Sequence, residues 1–180
     1  MIAEENNSSQ DYKFIKGNSK FAVIGHIEWI NFIKVDHLPK AGLISHSKES
    51  LEYPAGGGSV IAKRLQELTH GEVHFFSALG NDFYGNKCLN MLQNMGIKLH
   101  VAWRDKPTRK GFSVIDSDGE RSITIIGDRL SPNHNDDLDW ATLNDMDGVF
   151  ITAGDKELFK KSRIAKILCT TPRVGLNIIN

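Results

Sequence analysis

Two apolar runs, the continuous Phe21-Ala22-Val23-Ile24-Gly25 and Val73 to Leu79, which holds only His74 and Ser77 as polar residues, constrain this chain more than any other feature. A strand solvated on one face alternates apolar with polar residues, whereas an unbroken apolar strand is buried on both faces. Between the two runs, Ile61, Leu65 and Leu68 fall on one helical face. After the second run, Tyr84, Cys88, Leu92 and Met95 form another helical stripe. Asp82 is placed to cap that second helix through its carboxylate, and Gly96 to end it. Gly71 is expected to cap the C-terminus of the first helix. Strand, helix, strand, helix is the order of a parallel sheet with crossover helices.

The same grammar returns later in the chain. Val149-Phe150-Ile151-Thr152 reads as a strand and Glu157 to Lys166 as a basic helix with Leu158, Phe159, Ser162 and Ala165 inward. Ile167-Leu168-Cys169 and Val174 to Ile179 read as one or two further strands. Two stretches break the pattern. From Ile30 to Tyr53, Ile33 and Val35 alternate with Lys34 and Asp36, a turn falls at Pro39 and Gly42, and Leu51 and Tyr53 flank Glu52. These are half-exposed strands. Phe112 to Asp116 and Ser122 to Ile126 flank Asp118-Gly119, a hairpin signal in which both turn positions favour positive φ. With His100 to Trp103 they read as a small antiparallel insertion. Residues 1–19 are polar and aperiodic and read as a flexible tail. The chain stops at Asn180, directly after an apolar run, so the sheet is expected to be unfinished, with its C-terminal part missing.

Lys+Arg and Asp+Glu both number 22, so the chain has neither the basic footprint of a nucleic-acid binder nor a broad acidic field. Neither a membrane span nor a signal peptide is legible. Two cysteines without a CxxC pair fit a reduced, cytoplasmic protein.

Gly56-Gly57-Gly58 is the leading candidate for chemistry. Glycines before a helix let backbone N–H groups approach a phosphate or sugar hydroxyl, although a tight turn explains them as well. Neither a Walker loop nor a GxGxxG or GxSxG signature occurs. His70 and His74 are separated by Gly71 and do not share a helix face, so no metal site is assigned. The remaining histidines are scattered. Asp136, Asp137 and Asp139 read as a solvated turn.

The ordered set of motifs resembles the ribokinase-like (PfkB) carbohydrate kinases. It comprises a strand ending in Gly25, Pro39-Lys40-Ala41-Gly42, Pro54-Ala55-Gly56-Gly57-Gly58 opening a helix, Gly80-Asn81-Asp82-Phe83-Tyr84-Gly85, Pro107-Thr108, and Asp118-Gly119-Glu120-Arg121-Ser122. The resemblance covers residues 20 to 155. It implies an α/β three-layer sandwich, mainly parallel, with a small antiparallel β-lid near residues 30–53 and 98–127. It implies transfer of the γ-phosphoryl group of ATP, with Mg²⁺, to a hydroxyl of a sugar or similar polyol. The lid would close to exclude water. Residues 20–180 then form the N-terminal portion of such a kinase domain.

The resemblance assigns Gly56, Gly57 and Gly58 to the sugar site, with Thr108 at a lid approach. Where the family has a hydroxyl-binding Asp this chain has Ile30, and Glu28 or Asn31 is the expected substitute. Where the family has an Asn on the helix, Val60 stands. The family's Gly-Ala-Gly-Asp segment, with its anion hole and Asp base, is absent from the sequence. The base is therefore expected beyond residue 180, most of the ATP and Mg²⁺ sites with it, and the chain alone is expected to be inactive. Two other readings stay open. One is a non-catalytic sugar-binding module or a homodimer through the lid strands. The other is an unrelated protein using the glycine triplet as a phosphate nest.

Overall fold

Helices on both faces of a five-stranded parallel sheet, with a second four-stranded sheet beyond the carboxyl end of its central strand, make up the architecture of the computed structural model, which describes residues 19–172. In chain order the elements are β1 (Lys20–Ile24), β2 (Glu28–Lys34), β3 (Glu49–Ala55), α1 (Gly57–Thr69), β4 (Glu72–Gly80), α2 (Phe83–Asn94), β5 (Lys98–Arg104), β6 (Lys110–Ile115), β7 (Arg121–Ile126), a 3₁₀ turn (Trp140–Asp145), β8 (Gly148–Ile151), α3 (Lys156–Ser162) and β9 (Ile167–Thr170). The main sheet has the order β5-β4-β1-β8-β9, and every pairing in it is parallel.

The two apolar runs are central strands, as their composition demands. Along β1 and β4, neighbouring residues go to opposite faces. Val23, Val73, Phe75 and Leu79 pack with Ala62 of α1 and Cys88 and Leu92 of α2. Ala22, Ile24 and Phe76 pack on the other side with Leu143, Leu158 and Phe159. This gives three layers around two apolar cores. Asp82 caps α2 as expected: its carboxylate accepts from Gly85 N–H at 2.7 Å.

The second sheet has the order β3-β2-β6-β7. Its β2–β3 and β6–β7 pairs are antiparallel, but β2 and β6 run parallel, so the lid is mixed rather than antiparallel. Residues 98–104 do not belong to it. They are β5, the parallel edge of the main sheet, paired with β4 from His74↔Lys98 to Gly80↔Arg104. An edge strand is half solvated, so its alternation mimics a lid strand. His100 stacks on Phe76 with ring centroids 4.2 Å apart, and Ala102 is buried.

Three local expectations change. In the β6–β7 hairpin only Gly119 has positive φ, at 83°. Gly119 N–H donates to Asp116 C=O, and Asp116 N–H to Glu120 C=O, the pattern of a type I turn closed by a glycine bulge. At the end of α1 the left-handed residue is His70, with φ 50°, and not Gly71. Gly71 is needed for another reason: a Cβ there would collide with the Ser19 carbonyl oxygen. The basic helix α3 also ends at Ser162, short of Lys166. The N-terminal tail up to residue 18 and the Val174–Ile179 strand lie outside the described residues.

Candidate active site

The strand order reverses at β1: the chain moves from β1 to β4 on one side and returns to β8 on the other. At such a switch point the connections leaving the carboxyl ends of adjacent strands diverge and open a crevice. Here the crevice is a cleft of about 660 Å³ between the main sheet and the lid. His26 reaches it from the end of β1, Thr152 from the end of β8, and Glu28 from the start of the lid strand β2.

The glycines fix the approach of α1. Gly56 has φ 89°, and a Cβ on it would lie 2.9 Å from the His26 carbonyl oxygen. Gly58 lies beneath the cleft: a Cβ there would meet the Phe75 ring at 2.7 Å and the Gly25 carbonyl carbon at 2.9 Å. Gly58 N–H donates to His26 C=O at 3.2 Å, and Ser59 Oγ donates to Ala55 C=O at 2.7 Å. The glycine triplet thus welds helix, first strand and lid together, and only Gly56 and Gly57 line the cleft.

Glu28 is the carboxylate of this cleft. Its Oε1 lies 2.9 Å from His26 Nε2, and its Oε2 lies 3.8 Å from Arg109 Nε. Burial raises its pKa, but the His26 hydrogen bond and the positive charges of His26, Arg109 and Arg129 outweigh that and hold it below the ordinary Glu value. Glu28 is therefore ionised and accepts, so His26 Nε2 carries the proton. Gly57 N–H, 3.4 Å from the same nitrogen, has no lone pair to receive it there. It is left as a donor beside the cleft. An ionised acceptor and a backbone donor at one wall can hold a hydroxyl by both its hydrogen and its oxygen.

The expected site residues divide. Glu28, Gly56 and Gly57 meet at the cleft. Asn31 lies on the opposite lid face, in register with Glu52, to whose Oε1 its Nδ2 donates at 3.2 Å. Thr108 stands apart from the cleft, buried, with its Oγ1 accepting from Gly80 N–H at 3.1 Å and its N–H donating to Asp82 at 2.7 Å. Ile30 is buried inside the lid and Val60 forms an apolar wall of the cleft. His26, Thr152 and Arg129 line the cleft without having been singled out in the sequence. The available signal was position, His26 just beyond the carboxyl end of one predicted strand and Thr152 the last residue of another. Arg129 carries no such mark. Among the described residues no three His, Cys, Asp or Glu side chains converge to hold a metal, and no helix is long and apolar enough to cross a membrane.

Residues 18–167 match the family model described as pfkB family carbohydrate kinase. Solved structures with the same fold include a putative ribokinase from Agrobacterium tumefaciens, at TM-score 0.65 and 16% identity over 90% of this chain and 62% of that one. A ribokinase from Arabidopsis thaliana complexed with ribose and ATP superposes at TM-score 0.64 and 19% identity, over 85% and 53%. A ribokinase from Giardia lamblia superposes at 0.66 and 19%, over 83% and 48%. The chain thus spans about half to 62% of the length of these structures. No curated protein matches it.

Proposed function

Because the chain belongs to the pfkB family of carbohydrate kinases, we propose that its cleft binds the acceptor in an ATP-dependent phosphoryl transfer to a hydroxyl of a sugar or similar small polyol. The observation that carries this reading is the convergence of ionised Glu28 and the Gly57 N–H at the switch-point cleft. Glu28 accepts from the acceptor's O–H groups, and Gly57 N–H donates to a hydroxyl oxygen. The lid sheet, on whose cleft face Glu28 stands, shields the bound hydroxyl from water, the competing acceptor.

ATP supplies the phosphoryl group and Mg²⁺ neutralises its charge in such a reaction. The described residues offer neither a converging metal-ligand set nor the Gly-Ala-Gly-Asp segment, so no step is assigned to them through the nucleotide or the metal. The 180 residues by themselves bind acceptor and transfer phosphoryl groups slowly or not at all. The test has two parts. Titration of the ¹⁵N-labelled chain with a panel of sugars and polyols should shift the amides of Gly56, Gly57 and Thr152. Shifts confined to other regions would reject the site. Appreciable sugar-dependent release of ADP by the purified chain would reject the inactivity.

A second reading rests on the lid. Leu51 and Ile123 share one cross-strand row with Phe32 and Ser113, on the face that carries Glu28, and are 60% and 50% exposed. A second copy pairing over this face would cover them. It predicts a dimer insensitive to salt, and a monomer at every concentration and ionic strength would dismiss it.

A further inference from the structure

The charges around the cleft do not balance. Among the described residues Glu28 is the only carboxylate lining it, and Arg109 lies against that carboxylate at 3.8 Å. Arg129 lines the same cleft, is exposed, and has neither an ion pair nor a hydrogen bond among the described residues. Its neighbour Asp128 is engaged by Lys106 Nζ at 2.9 Å. The single charge of Glu28 is shared between Arg109 and Arg129, so one positive charge stands in excess at the cleft. The N-terminus of α1 carries no acidic residue in its first turn, so its dipole adds charge of the same sign. Val60 and Ile61 make the adjoining wall apolar, which strengthens a charge interaction relative to open water.

We propose that the acceptor is an anionic polyol whose carboxylate or phosphate group pairs with Arg129 while its hydroxyls face Glu28 and the Gly57 N–H. This rests on the acceptor-site reading above and names its substrate class. The guanidinium fork suits both anions, since each presents two oxygens to paired N–H donors.

The test compares D-gluconate, D-glucitol 6-phosphate and neutral D-glucitol on the full 180-residue chain, by calorimetry and by amide shifts at low salt. At least one anion is expected to bind about tenfold or more tightly than D-glucitol, with the preferred anion telling carboxylate from phosphate recognition. In Arg129→Gln the anion should bind no more tightly than D-glucitol does to the same variant, and Arg129→Lys should restore part of the advantage. Arg129 is exposed, so these variants leave the folded core intact. If D-glucitol binds in the cleft as tightly as both anions, the charge inference falls and the acceptor site stands. An anion advantage that survives Arg129→Gln also overturns the assignment. If none of the three shifts the cleft amides at millimolar concentration, the acceptor-site reading falls and takes this inference with it.

Discussion

Replacing Asp82 by Ala tests whether this carboxylate is a structural joint rather than a ligand group. One of its oxygens accepts from Gly85 N–H at 2.7 Å and the other from Thr108 N–H at 2.7 Å. The first bond caps α2, and losing an N-cap side chain costs about 1 kcal/mol. The second satisfies the backbone donor of Thr108, a residue only 2% exposed. Stranding a buried N–H adds about 1–3 kcal/mol. The expected loss is therefore about 2–4 kcal/mol, or a fall in Tm of roughly 5–15 °C for a domain of this size. Urea unfolding followed by circular dichroism reads it directly. Asp82→Asn keeps an acceptor for one partner and should lose about half as much. A loss below about 0.5 kcal/mol in Asp82→Ala would falsify the joint.

The other predictions concern packing, acidity and thiol chemistry. Gly58→Ala should destabilise the chain, because overpacking against Phe75 at 2.7 Å costs about 1–3 kcal/mol and the helix-propensity gain returns only about 1. Gly57→Ala meets its nearest atoms at 3.5 Å and should fold normally, so equal behaviour of the two variants contradicts the contact with Phe75. Glu28, Asp82 and Asp155 all have lowered carboxyl pKa values, burial raising each but being outweighed by hydrogen bonds, from His26 to Glu28, from Gly85 and Thr108 to Asp82, and from Leu158 and His134 to Asp155. A depressed carboxylate stabilises the fold above its unfolded pKa, near 4, and that stability is lost as pH falls through the lower folded value. Tm should hold its level above about pH 5 with respect to these groups and fall steadily below about 4, and a Tm that rises on acidification to pH 3 contradicts the hydrogen bonds. Burial pushes the Cys88 thiol up to about 12, while Cys169 is exposed. A disulfide-exchange reagent at pH 8 should therefore label Cys169 at once and Cys88 only after unfolding, and rapid labelling of both would mean that the α2 core opens.

The central part of the fold was legible because burial on both faces leaves an unmistakable trace in composition. Phe21–Gly25 and Val73–Leu79 could be little else than central parallel strands, and the cap at Asp82 followed from local chemistry. The edges were harder to read. β5 alternates because one of its sides is solvated, and alternation also marks a lid strand, so only the pairing with β4 tells them apart. Strand direction within the lid was equally hidden, since β2 meets β6 only after the main sheet has brought them together. Of the expected site residues, Glu28, Gly56 and Gly57 converged, because spacing after Gly25 and before α1 is local information. Asn31 was lost to the period-two rule: three positions beyond Glu28 it must face the other way. Arg129 left no trace because an isolated arginine after a strand looks like any solvated residue.

The parallel union of β2 and β6 also bears on how the chain folds. Ile30 finds Gly111 as its register partner, and Phe21 finds Gly148, so the first strands of both sheets wait for partners made much later. Closing such long loops is entropically costly, and ribosomal synthesis delivers the partners only after many seconds. The hairpins β2–β3 and β6–β7 can form locally, but the seam between them belongs among the late events. Until then Arg129, which follows β7, is not held beside Glu28 of β2, and the cleft lacks that charged wall.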